Sequence, residues 1–293
     1  MSYDFAYYPG CSGRGTSKEY DTSTRAVCAS LGLNLVDIPD WSCCGSSPAH
    51  SLDHSLAAAL AARNLELVET MGLGTALTPC PSCLTNLKAA SHRIVKEAFR
   101  EKVNNLLDRP YRGSVQSLSV LQALVEHIGT DAVAAKVIRP LRGLKVAPYY
   151  GCIMTRPPEI MSFDDPENPV SMDSIMNAIG AEVVPFPLKV ECCGASYGVP
   201  RRDIVTRLSR KLLACAKGAG AHAMVVACPM CQMNLDLRQD QINKATGEKF
   251  NVPVFYFTQL MGLAFGCPEE ELGLDKLIVN PWPVLSKALT VTG

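Results

Sequence analysis

Two strings decide how this chain folds: TPCPSCLTNL at residues 78–87 and VACPMCQMNL at residues 226–235. Each carries C-P-x-C-x-x-N-L, and each follows a short apolar run of strand type. Upstream the correspondence continues. SCCGSS at 42–47 is matched by ECCGAS at 191–196, and AYYPGC at 6–11 by APYYGC at 147–152. The cysteines keep step. Cys11 precedes Cys43-Cys44 by 31 intervening residues, and 35 more lead to Cys80 and Cys83. Cys152 precedes Cys192-Cys193 by 39, and 34 more lead to Cys228 and Cys231. One five-cysteine unit therefore occurs twice, and an internal duplication governs the fold.

Each unit reads as strand, cysteine loop, helix, strand, C-C-G loop, helix, strand, C-P-x-C, helix. DFAYYP and LKVAPYY are strand-like, and LNLVDIP and AEVVPFP each end a strand at proline. SKEYDTSTRAVCASLG and SLAAALAARNLELVETMG open and close as helices do. Alternating strands and helices predict an α/β fold of two tandem pseudo-symmetric units, each a small, mostly parallel sheet with flanking helices. The expected division is 1–143, including a helical connection over about 91–143, and 144–293, with residues 268–293 a closing tail over the second unit. The 293 residues suffice for two cores. In such sheets the cysteine loops fall at the C-terminal ends of the strands, where sequence-distant thiols can meet.

The 28 basic and 28 acidic residues balance, which gives no nucleic-acid footprint. No signal-peptide pattern or long apolar run suggests membrane insertion, so a cytoplasmic protein is expected. Thirteen cysteines in that setting point to ligands or redox centres and not to a disulfide framework.

Three chemistries suit C-x-x-C. A tetrahedral zinc site takes four ligands, and each unit offers five, two of them adjacent. A thioredoxin-like dithiol leaves three of the five without a role. An iron–sulfur cluster, with several irons spread over some ångströms, can use all five. The cubane-ferredoxin string C-x-x-C-x-x-C-x-x-x-C-P is absent. Cys28, Cys215 and Cys267 lack counterparts and read as small hydrophobes. The glycines of GCSGRG do not have pyrophosphate-cradle spacing, and only Gly-Cys recurs in the second unit. They read as letting the backbone pass close to a bulky group.

The duplicated C-x(31–39)-C-C-G-x(34–35)-C-x-x-C resembles the cysteine-rich CCG domains of the B subunit of heterodisulfide reductase and its bacterial relatives, over almost the whole chain. The resemblance implies two noncubane [4Fe-4S] clusters, one on Cys11, Cys43, Cys44, Cys80 and Cys83 and one on Cys152, Cys192, Cys193, Cys228 and Cys231. It implies a disulfide or thiol sulfur-carrier substrate between them, in bacterial sulfur oxidation or sulfate reduction. It also implies two further chains as partners, a cubane-bearing C-type subunit and a flavin-bearing A-type subunit. Two clusters suit a two-electron couple, since one electron from each avoids a thiyl radical. Arg14 and Arg156 are candidates to meet an anionic group of the substrate, and His50 and His54 to supply protons. The competing expectation is an electron-transfer subunit of a glycolate or lactate oxidation system with no disulfide substrate.

Overall fold

A computed structural model describes residues 3–290. Eight parallel strands form two four-stranded sheets. β1 (Tyr3–Tyr7), β2 (Leu33–Asp37), β3 (Thr75–Thr78) and β4 (Gln116–Ser119) stand in the order β2-β1-β3-β4. β5 (Lys145–Tyr149), β6 (Glu182–Val183), β7 (Ala223–Val226) and β8 (Val254–Tyr256) repeat it as β6-β5-β7-β8. Ala6 pairs with Ala76 and Ala147 with Met224, so Tyr8 and Tyr149 occupy equivalent places. In both sheets the strand order reverses between the first and third strands, and all three cysteine loops of the unit lie at that end.

Two differences from the sequence expectation have simple causes. The connection 91–143 is not wholly helical. QSLS at 116–119 forms β4, the register partner of β3, although polar residues there carry no strand signal. Ser117 and Ser119 are nonetheless buried. β6 is only two residues long because Pro185 and Pro187 have no N–H with which to extend its ladder.

Period-two alternation through β1 and the residue that follows it sends side chains into two cores. Ala6 and Tyr8 face the alanine-rich helix His54–Thr70, while Phe5 and Tyr7 join an apolar core that continues through Tyr149, Met224 and Phe255 of the second unit. The units thus share a core. At their junction the Tyr20 and Tyr256 rings stack at 4.0 Å with 4° between planes, and the Tyr20 hydroxyl donates to Ala227 O at 3.2 Å. The Ser23 and Thr258 hydroxyls meet at 2.8 Å.

The tail does more than cover the second unit. Asp236 accepts the amides of Ile278 and Val279, which fastens it to that unit. Gly273 packs so closely on Glu19 of the first unit that a Cβ there would come within 2.5 Å of Glu19 Cβ. Residues 268–290 therefore bridge both units, and 291–293 lie outside the described residues. None of the described helices is long and apolar enough to cross a membrane.

Tyr20→Ala removes a fully buried ring from the junction and is expected to cost about 3–5 kcal/mol in urea unfolding. Exposed Tyr197→Ala is expected to stay within about 0.5 kcal/mol of the parent.

Candidate metal centre

The two C-P-x-C segments are built alike. Cys80 and Cys228 are extended residues that precede a helix, a proline fills the first helical position, and Cys83 and Cys231 lie in the first turn. Cys11 lies on the short helix Gly10–Arg14, and Cys152 in a turn after β5.

Close approach sets the backbone in each unit. Gly10 has φ +68° and a Cβ there would stand 3.0 Å from Cys83 Sγ; Gly151 has φ +75° and a Cβ would stand 3.1 Å from Cys231 Sγ. Of the glycines in GCSGRG, the first is thus the one beside a site sulfur. Gly13 packs on Pro9 and Asp21 instead. The glycine of each C-C-G is also left-handed, with φ +81° at Gly45 and +92° at Gly194, and a Cβ would press on Leu60 or Val205.

The C-C-G loops are held by residues to which the sequence pattern assigned no role. Tyr8 OH donates to Ser42 O at 2.7 Å, and Tyr149 OH to Glu191 O at 2.7 Å. Asn86 and Asn234, the asparagines of C-P-x-C-x-x-N-L, reach Cys44 Sγ at 3.6 Å and Cys193 Sγ at 3.5 Å. Their recurrence in both strings is the signal that could have marked them. Buried Asn64 clasps Ser42 N and O with its amide, and nothing in the second unit's sequence marks it.

Sulfurs crowd together. Cys44 and Cys83 Sγ are 3.5 Å apart, and Cys193 and Cys231 Sγ 3.6 Å. Among the described residues no three or more His, Cys, Asp or Glu side chains stand where they could hold a metal ion. Nine of the ten repeated cysteines instead line one cavity of about 400 Å³ between the units. The tenth, Cys43, is exposed, as is Cys11. A larger groove of about 480 Å³ between helix Lys18–Ser30 and the tail contains no cysteine, so size alone does not mark the site.

Crowding splits the thiol acidities. Cys44 and Cys192 are each lowered to about 6, chiefly because their thiolates accept S–H bonds from Cys83 and Cys152. Cys193 is lowered to about 7, chiefly through Cys231. The donors Cys83, Cys152 and Cys231 are pushed up by the same bonds, and burial raises Cys43. Burial raises the Tyr8 and Tyr149 phenols, and the charge of the surrounding thiolates adds to the rise.

The other candidates lie elsewhere. Arg14 pairs with Asp37 at 3.3 Å, and Arg156 donates to Glu167 and to Pro166 O. Neither lines the cavity, nor do His50 and His54, which are exposed on the helices Ser46–Leu52 and His54–Thr70. Cys28 is buried and raised to about 12 by desolvation, while Cys215 and Cys267 are half-buried.

The cysteine-rich domain model named CCG matches residues 5–88 and again 146–236. This chain belongs to the CCG family. At 36% identity it is similar to the 8-methylmenaquinol:fumarate reductase membrane anchor subunit of Wolinella succinogenes, over 96% of this chain and 98% of that one. At 29% identity it is similar to the B subunit of the ferredoxin/F(420)H(2)-dependent CoB-CoM heterodisulfide reductase of Methanosarcina acetivorans, over 97% of each. A crystal structure of a hypothetical Helicobacter pylori protein shares the fold with a TM-score of 0.74 at 13% identity. It covers 95% of this chain, which spans 52% of that one.

In metal-free, reduced protein at pH 7, Cys192 is expected to alkylate before Cys43 although Cys43 is the more exposed, because its lowered pKa leaves it largely thiolate. Raising the pH to 9 should narrow the gap, as Cys43 ionises while Cys192 is already saturated. Timed iodoacetamide labelling read by mass spectrometry checks this order.

Proposed function

We propose that this chain is the iron–sulfur subunit of a heterodisulfide-reductase-like oxidoreductase, and that its ten repeated cysteines hold two noncubane [4Fe-4S] clusters. The observation that supports this best is the single cavity walled by nine of those cysteines from both units. The donor set fits the group. It consists of thiols alone, too numerous for one zinc, with amide N–H groups of Gly194 and Ala195 at 3.2 and 3.4 Å from Cys192 and Cys193 Sγ. Such bonds stabilise ligating thiolates and hold their orientation. Bound there, the clusters would each supply one electron to a two-electron disulfide/dithiol couple.

The chain's own part is to hold both thiol sets on facing walls. The Tyr20–Tyr256 stack and the shared core keep those walls at a set separation, and Gly10 and Gly151 let the loops close over the sulfurs. A disulfide that enters between them meets both sets at once. Arg14 and Arg156 would act here only by leaving their carboxylate partners. Electrons would enter through other chains, for which a cubane-bearing C-type and a flavin-bearing A-type subunit are the proposed partners, in the cytoplasm.

A second reading rests on the Wolinella relative, whose name specifies a quinol:fumarate reductase and no disulfide. On that reading the same two clusters carry electrons only.

Anaerobically prepared protein is expected to hold about eight irons and eight sulfides per chain. Cys43→Ser and Cys193→Ser should each remove about half and alter the electron paramagnetic resonance spectrum of the rest. Unchanged iron and spectra in both variants would sink the cluster assignment, and zinc with no brown colour would replace it. A new paramagnetic signal when thiol is added to oxidised protein favours the disulfide reading, and its absence favours electron transfer alone.

A further inference from the structure

Beyond its cysteines, the cavity between the units has no carboxyl or basic side chain in its wall. Among the described residues, its lining beyond the cysteines consists of serines, glycines, an alanine and apolar or aromatic side chains such as Ile153, Met230, Tyr197 and Pro81; no Lys, Arg, His, Asp or Glu takes part. We propose, on the basis of the cluster reading above, that the cavity selects an uncharged sulfur compound, one that brings no carboxylate, sulfonate or phosphate between the two cysteine sets.

The nearby cations are committed elsewhere. Lys189 lies behind the Tyr150 wall with its ammonium 5.9 Å from the ring centroid, bonded to Asp173 Oδ1 and to Pro169 O. Arg238 lies behind the loop 195–198 and spends its guanidinium on Asn234 Oδ1, Gln241 Oε1 and Gly198 O. Arg14 and Arg156 are held by Asp37 and Glu167.

The sign of the field then follows from the ligands. Five thiolates outweigh the positive charge of the iron–sulfide core they would hold, so both walls stay negative, and an anion that entered would lose its water for little counter-charge. A neutral disulfide loses little on entry. It gains apolar contact with Ile153 and Met230 and a hydroxyl lining from Ser12 and Ser196. Ser46 and Ser82 hydroxyls are 2.7 Å apart and satisfy one another, so they ask nothing of a charged ligand.

Two disulfides of similar size separate the possibilities: neutral hydroxyethyl disulfide and dianionic dithiodipropionate, titrated at pH 7 into cluster-loaded protein. Binding is read from the visible and paramagnetic spectra, with iron content measured on the same sample. The neutral probe is expected to bind at least about tenfold more tightly. Ser196→Arg, which places a cation on the exposed rim of the wall, should raise dithiodipropionate affinity by about tenfold with iron content unchanged.

Equal or tighter binding of dithiodipropionate by the parent protein would overturn the inference and leave the cluster reading standing. An affinity unmoved by Ser196→Arg would likewise show that wall charge does not select the ligand. Full iron content with neither probe bound would overturn both this inference and the disulfide reading, in favour of electron transfer alone. Protein that holds no iron would overturn the cluster reading, and the inference with it.

Discussion

Sulfur crowding is the constraint on which the rest of this molecule depends. Nine thiols converge at the ends of six short strands, and a chain can pass that close to a cysteine sulfur only where it has no Cβ. Gly10 and Gly151 meet that condition in a left-handed conformation, with the space for a Cβ already taken by Cys83 and Cys231 Sγ. Gly45 and Gly194 meet a second steric condition by turning each C-C-G loop back toward its helix. The cysteine pairs that result cannot all be thiolate at once without a countercharge. Their alternately lowered and raised acidities express that conflict, and the cationic metal core proposed for the site would resolve it.

Duplication gives the site its form, and departures from symmetry give its two halves different surroundings. Both units keep the strand order, the cysteine pattern, the tyrosine that holds the C-C-G carbonyl and the asparagine at the sulfur. They differ in exposure. Cys11 and Cys43 reach solvent, while their counterparts Cys152 and Cys192 are half-buried. The buried Lys189–Asp173 pair lies behind the second set, where Asp173 also accepts from Tyr150 OH. Solvent access, nearby charge and hydrogen bonds to sulfur are the levers that set cluster potential, so two clusters with these ligands would not be equivalent.

Much of this was legible in the residues because cysteine spacing and turn glycines are local signals that survive duplication. The α/β alternation, the repeat and the helices after each C-P-x-C could all be read that way. β4 could not. Ser117 and Ser119 become strand because β3 offers them an edge, which no local pattern announces. Nor could the partners of Arg14 and Arg156. A guanidinium three or four residues after a cysteine suggests a substrate contact, and its pairing with Asp37 or Glu167 in the fold is not written in the local pattern. Asn64 escaped notice for the same reason, as its partner Ser42 lies 22 positions away.

The residues alone establish which side chains can do chemistry and that they come as two equal sets, since identity and spacing are properties of the chain. They also establish the family, because the C-C-G and C-P-x-C strings recur in register. Folding adds what the linear pattern lacks: both sets face one cavity, the units share a core sealed by the Tyr20–Tyr256 stack, and no carboxyl or basic side chain among the described residues lines the space between them. Those facts depend on which surfaces meet when two sheets pack. Packing is settled by side-chain volume and by pairing across the whole fold, and a string of residues does not carry it.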